Sequence, residues 1–155
     1  MNRRRRFSGP MHSRGFSLIE VLIAIVVLGF GLLGFALLQT MNVRFVQSAN
    51  YRTQATNLTY ELLDQIRIHR VAAGRYVGTY AATVDSEDCL SPTGASIETD
   101  AVMTEWRCRL GKALGENATA TVTRNGDQVT VDVSWGDERW RDGAGDTTFT
   151  ASTRL

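Results

Sequence analysis

The chain changes its hydrophobic period several times along its length. Residues 21–38 are all apolar or glycine, eighteen in a row, and Leu18 and Ile19 extend the run. At about 1.5 Å per residue, such a helix crosses most of a hydrocarbon core roughly 30 Å thick. Beyond it, Met41, Phe45, Ala49, Thr56, Leu58, Leu62, Leu63 and Ile66 recur at broadly helical spacing, and no proline or glycine intervenes before Gly74. The helix is therefore expected to continue to about Ala73, with this second half burying one face against a small domain and solvating the other. Gly74 supplies the stop signal.

Residues 75–104 are rich in Gly, Ser, Thr and Asp and have no clear period, so they read as the connection from helix to sheet. The acidic run "DSED", residues 85–88, reads as a solvated turn, because it lacks the spaced ligands of a calcium loop. Strand periods follow. In "EWRCRL", Trp106, Cys108 and Leu110 alternate with Glu105, Arg107 and Arg109, which predicts a strand. In "ATATVTRNGDQVTVDVSW", Ala120 and Val122 precede Asn125-Gly126, and Val129, Val131, Val133 and Trp135 follow at alternate positions, which predicts a hairpin turning at Asn125-Gly126. After the glycine-rich "DGAGD", residues 147–155 read as a last strand. The expected fold class is α+β: one long N-terminal helix, transmembrane in its first half, packed on a four-stranded antiparallel sheet.

Charge sharpens the picture of the two ends. Over 155 residues the formal net charge is only +1, but Arg3, Arg4, Arg5, Arg6 and Arg14 lie in the first fifteen residues with no acid among them. Past Gly15 there remain twelve basic and sixteen acidic side chains, a net of −4. No nucleic-acid partner is expected of such a body, since phosphate neutralisation needs clustered Lys and Arg, and Arg139, Arg141 and Arg154 are too few. With basic residues only on the N-terminal flank of the apolar run, the N-terminus stays cytoplasmic and the C-terminal part is sent outward. The run ends without a small-residue cleavage pattern, so it reads as an anchor rather than a removed secretory signal.

Export puts Cys89 and Cys108 in an oxidising compartment and predicts a disulfide between them. No metal is expected, because two thiols with only His12 and His69 elsewhere do not make an ordinary structural zinc site. His69 reads as a solvated helix-end residue. Trp135 and Trp140 read as one ring buried under the sheet and one on a loop. No cofactor is expected, and an enzymatic role has no base, nucleophile or metal set to rest on.

Two features exceed a plain anchor. Glu20 places a carboxylate at the head of the apolar run, where insertion scales assign a cost of about 2.5 to 3.5 kcal/mol if central and less near an interface. Gly29, Gly31 and Gly34 weaken the helix locally, fitting either close helix packing or a soft segment.

The stretch "RGFSLIE", residues 14–20, resembles the processing site of type IV prepilins and related pseudopilins: a basic leader ending in glycine, then Phe, a small polar residue, apolar residues and a glutamate. The resemblance is specific to residues 14–39, and the continuation with the cysteine pair is similar to minor pilins of the PilV type. It implies that a membrane prepilin peptidase cuts between Gly15 and Phe16 and methylates the new Phe16 amine, and that Glu20, fifth in the mature chain, serves assembly. A proline common near Leu37 in major pilins is missing, which favours a minor subunit. The implied parts are a cleaved leader over 1–15, a membrane and assembly helix over 16–39, its amphipathic continuation over 40–74, and a disulfide-containing sheet domain over 75–155.

The expected partners are other minor pilins, the major pilin, the peptidase and the membrane. The implied location is the bacterial inner membrane, single pass, with the C-terminal domain periplasmic, and then the pilus. The implied function is to join a pilus initiation or tip complex. A type II secretion pseudopilin shares these features, and a tethered adhesin or DNA-binding module is the alternative of another class. Translation from Met1 and from Met11 both retain Arg14 and the cut site.

Overall fold

The computed structural model describes residues 15–85, 89–92, 98–137 and 143–155. Residues 1–14 of the expected leader over 1–15, residues 86–88 of the acidic run, and Trp140 with Arg139 and Arg141 lie outside the described residues. The chain divides into two compact units, Met1–Val43 and Arg44–Leu155. A single helix, α1, runs over Leu18–Ile68.

In the first unit α1 is bare. Of its described residues only Gly29 is even half-buried, and side chains such as Leu18, Phe30 and Leu33 stand in the open on every side. A helix apolar all round has no single face to lay on a protein core, and this one is long and apolar enough to cross a membrane.

In the second unit α1 becomes one-sided. Ala55, Leu58, Thr59, Leu62, Leu63 and Ile66 are buried, a stripe stepping by threes and fours. The α-helix ends at Ile68 rather than about Ala73, and a 3-10 helix continues over Arg70–Tyr76. Three residues per turn stack Ala73 and Tyr76 on one inward face, while Val71 is fully solvated. His69, expected in solvent, is half-buried at this junction, its Nδ1 2.9 Å from the Tyr76 hydroxyl.

The sheet has four antiparallel strands in the order β1-β2-β3-β4: Gly78–Ala81, Thr119–Asn125, Gln128–Trp135 and Thr147–Arg154. The expected strand count therefore holds, but one member differs. "EWRCRL" is not a strand; it belongs to a second helix, α2, over Thr99–Leu114. Met103, Trp106, Leu110 and Leu114 are buried along one side of it, at spacings of three and four. Cys108 and Gly111 are buried on another side, beneath residues 82–84 and Cys89. Covering on two sides lets a helix mimic a period of two across Trp106, Cys108 and Leu110. The missing strand is β1, four residues inside the segment read as a connection.

The β2–β3 hairpin closes at Asn125 and Gln128, so its loop residues are Gly126 and Asp127, one step beyond the expected Asn125-Gly126. Gly126 takes φ of 60°, and among the described residues no non-glycine has positive φ, as a type II′ turn requires of its first loop position. Inward, Ala120, Val122, Val129, Val131, Val133 and Trp135 meet α1 and α2 in one core, and Trp106 Nε1 donates to the Leu58 carbonyl at 3.1 Å.

Candidate functional site

The residues singled out for processing lie where the chain enters α1. Gly15, Phe16 and Ser17 precede the helix and are exposed, Phe16 at 83% of its surface. Among the described residues no atom beyond its chain neighbours comes within 4 Å of where a Gly15 Cβ would stand, and the Gly15–Phe16 bond lies outside the helix. Ser17 opens the helix: its carbonyl accepts from the N–H groups of Glu20 at 3.1 Å and Val21 at 3.3 Å.

Glu20 therefore stands in the first turn, three residues after Ser17, in the Ser-x-x-Glu order of a capping box. Two consequences follow from position alone. The carboxylate faces the positive end of the helix dipole, where an anion is favoured, and it lies one turn from the residue whose amine a cut after Gly15 would free. The structure places Gly15, Phe16 and Glu20 together at the exposed head of the apolar segment.

The cysteines are in the other unit. Cys89 and Cys108 are joined by a disulfide, with Cα atoms 5.2 Å apart. It fastens the chain after β1 onto α2. Residues 82–84 cross α2 closely: Thr83 N–H donates to the Arg107 carbonyl at 3.3 Å, and Arg107 Nε donates to the Ala81 carbonyl at 2.7 Å. A Cβ at Gly111 would overlap the Thr83 carbonyl, so only glycine admits the crossing.

Sequence reasoning missed two further polar ties. Asp137, buried just past β3, accepts from Ser48 Oγ at 2.7 Å and lies 3.5 Å from the Arg52 guanidinium. These bonds fix the first turns of α1 in the domain to the end of the sheet. Glu61 takes a two-pronged contact from Arg109 of α2, with one prong 2.8 Å and the other Nη2 to Oε1. The Glu61 hydrogen bond holds the Arg109 guanidinium above its ordinary value against the opposing effect of burial. No sequence signal pointed to Asp137, because its partner Ser48 is 89 residues away in the chain and Arg52 is nearly as far. Among the described residues no group of His, Cys, Asp or Glu could hold a metal ion.

Neither the curated proteins nor the solved structures gave a match to this chain. The family described as the prokaryotic N-terminal methylation motif matches residues 10–36, which takes in the Gly15–Phe16 bond, Glu20 and α1 as far as Ala36. That family is structural rather than enzymatic, and its motif implies processing by prepilin peptidase and assembly with other pilins. The match supports a prepilin-type pilin or pseudopilin.

Proposed function

We propose that the chain is a minor pilin of the PilV type, cut between Gly15 and Phe16, methylated at the Phe16 amine, and assembled with other minor pilins into the complex that starts or caps a type IV pilus. The observation that carries this reading is Glu20 in the first turn of an otherwise bare apolar helix, directly after an uncovered Gly-Phe bond. A peptidase leaves a cationic amine there, and Glu20 of the same or a neighbouring chain supplies the complementary charge where the dielectric is low and pairing is strong. An isolated carboxylate at the membrane edge is costly; a paired one sets the axial register of one helix on the next. The body past Val43 then rides outside the membrane, where its disulfide persists.

The test is the intact mass of the protein from membranes and from sheared surface filaments, with and without prepilin peptidase. A peptidase-dependent cut before Phe16, one added methyl group and a trace amount in filaments are expected. An uncut chain confined to membranes overturns the reading. A cut chain absent from surface filaments but required for secretion assigns the protein to a type II secretion pseudopilus instead. Glu20→Ala is expected to leave cleavage intact and to deplete the filament fraction; normal incorporation removes Glu20 from the assembly step.

A further inference from the structure

The two edges of the sheet are unlike. On one side β1 is only four residues long, and Ala82 N–H donates to the Ala118 carbonyl in continuation of its ladder, which turns the backbone groups of Thr79 and Ala81 outward. That edge is already in use at its end, because Arg107 takes the Ala81 carbonyl and the next outward group, Thr83 N–H, bonds to α2.

On the other side β4 offers eight residues. Leu155 N–H donates to the Asp127 carbonyl at 2.9 Å, which sets the phase of the β3–β4 ladder: 147, 149, 151 and 153 bond to β3, while Thr148, Thr150, Ser152 and Arg154 turn N–H and C=O away from it. Among the described residues no backbone group pairs with this outer row. Natural sheets blunt such an edge with a proline, a charged side chain or a bulge, and "TTFTASTR" pairs with β3 in unbroken register with no proline and, as its one charge, Arg154 at the very end. The hydroxyls of Thr148 and Thr150 reach back to Ser134 and Asp132 and leave the edge itself clear. Beside it, Phe149 meets Tyr60 edge-on at 6.3 Å, and Tyr60 keeps 54% of its surface in solvent. Opposite charges mark the two ends of the row, exposed Asp146 before the strand and exposed Arg154 at its close.

We propose that the β4 edge accepts an extended strand of another pilin-type subunit, running antiparallel to β4. The strand has apolar side chains over Tyr60, Phe149 and Ala151, a cation opposite Asp146 and an anion opposite Arg154. The proposal rests on the assembly reading above. A subunit of like fold set side by side in the same orientation presents its first strand antiparallel to β4, since β1 and β4 run in opposite directions. A second copy of this chain does not fill the place. Its β1 edge is the one that Arg107 and α2 occupy, and its β4 reaches this β4 only about a two-fold axis normal to the sheet. That axis sets residues 44–68 of the two α1 helices in opposite directions, an arrangement absent from a row of like-oriented subunits.

The test uses the full chain in detergent and, as probe, a synthetic peptide of residues 146–155, whose antiparallel pairing about Thr150 sets Asp against Arg at both ends. Amide exchange at Thr148, Thr150, Ser152 and Arg154 is expected to slow by about tenfold or more on adding the peptide, the factor that 1.4 kcal/mol of pairing gives. Thr150→Pro removes one outward N–H and leaves the β3 ladder whole, so it is expected to abolish the protection and to cut recovery in sheared filaments by about tenfold on the same scale. Thr150→Lys, which guards the edge by charge, is expected to do the same, and Thr121→Lys on central β2 to do neither. Unprotected amides in the wild type overturn the proposal, and so do wild-type levels of both Thr150 variants in filaments. A wild-type dimer that Thr150→Pro makes monomeric overturns the occupant in favour of a second copy. A wild-type chain missing from filaments overturns the assembly reading and the partner together, whatever the amides report.

Discussion

The two parts of α1 share a helix and differ in what surrounds them. Up to Val43 the apolar side chains of the described residues point in all directions and stand exposed. From Ala55 to Ile66 they point one way, and α2 and the sheet cover them. The difference teaches that the angular spread of an apolar pattern, more than its strength, tells what covers it. A stripe calls for a protein face, and a full circle calls for an apolar solvent or a ring of like helices.

Substitutions can sharpen that contrast. The largest effect is expected at Trp106, 2% exposed and bonded to the Leu58 carbonyl. Trp106→Ala should cost the domain about 3 to 5 kcal/mol in denaturant unfolding, whereas Leu28→Ala in the bare half should leave that transition where it is. Equal effects would mean that the two halves unfold as one. Next, reducing or replacing Cys89 and Cys108, which lie 19 residues apart, should cost about 3 kcal/mol on the chain-entropy account. Tryptophan fluorescence during chemical unfolding, with and without reductant, measures it.

The smallest effect concerns alkaline pH. Burial, with help from Asp100, raises the Tyr80 hydroxyl above its ordinary value of 10.0, and its O–H donates to the Tyr76 carbonyl at 2.9 Å. A folded value above the unfolded one means that the folded state holds this proton longer. The associated stability is complete below pH 10.0 and is lost as pH rises through the folded value. Tyr80→Phe should flatten that decline slightly. A decline equally steep in Tyr80→Phe would assign it to another group.

Legibility followed the range of the interactions. The apolar run, the Gly15–Phe16–Glu20 motif and the β2–β3 hairpin are local patterns, and the chain carries them in consecutive residues. The α2 helix was obscured because Cys108 and Gly111 are buried by a crossing segment, which adds apolar positions between those of the core-facing side. β1 was obscured by its length: four residues with inward Gly78 and Tyr80 leave no period to count. The Ser48–Asp137 tie and the open edge of β4 exist only once the topology is known, since neither has a neighbour in sequence that announces it.

The strand order also bears on truncation. A chain that stopped at Trp135 would end its sheet on β3, with Val129, Val131 and Val133 alternating along an unprotected rim. Thr147–Arg154 turns that apolar strand into an inner one, so a chain cut within residues 136–146 is expected to self-associate.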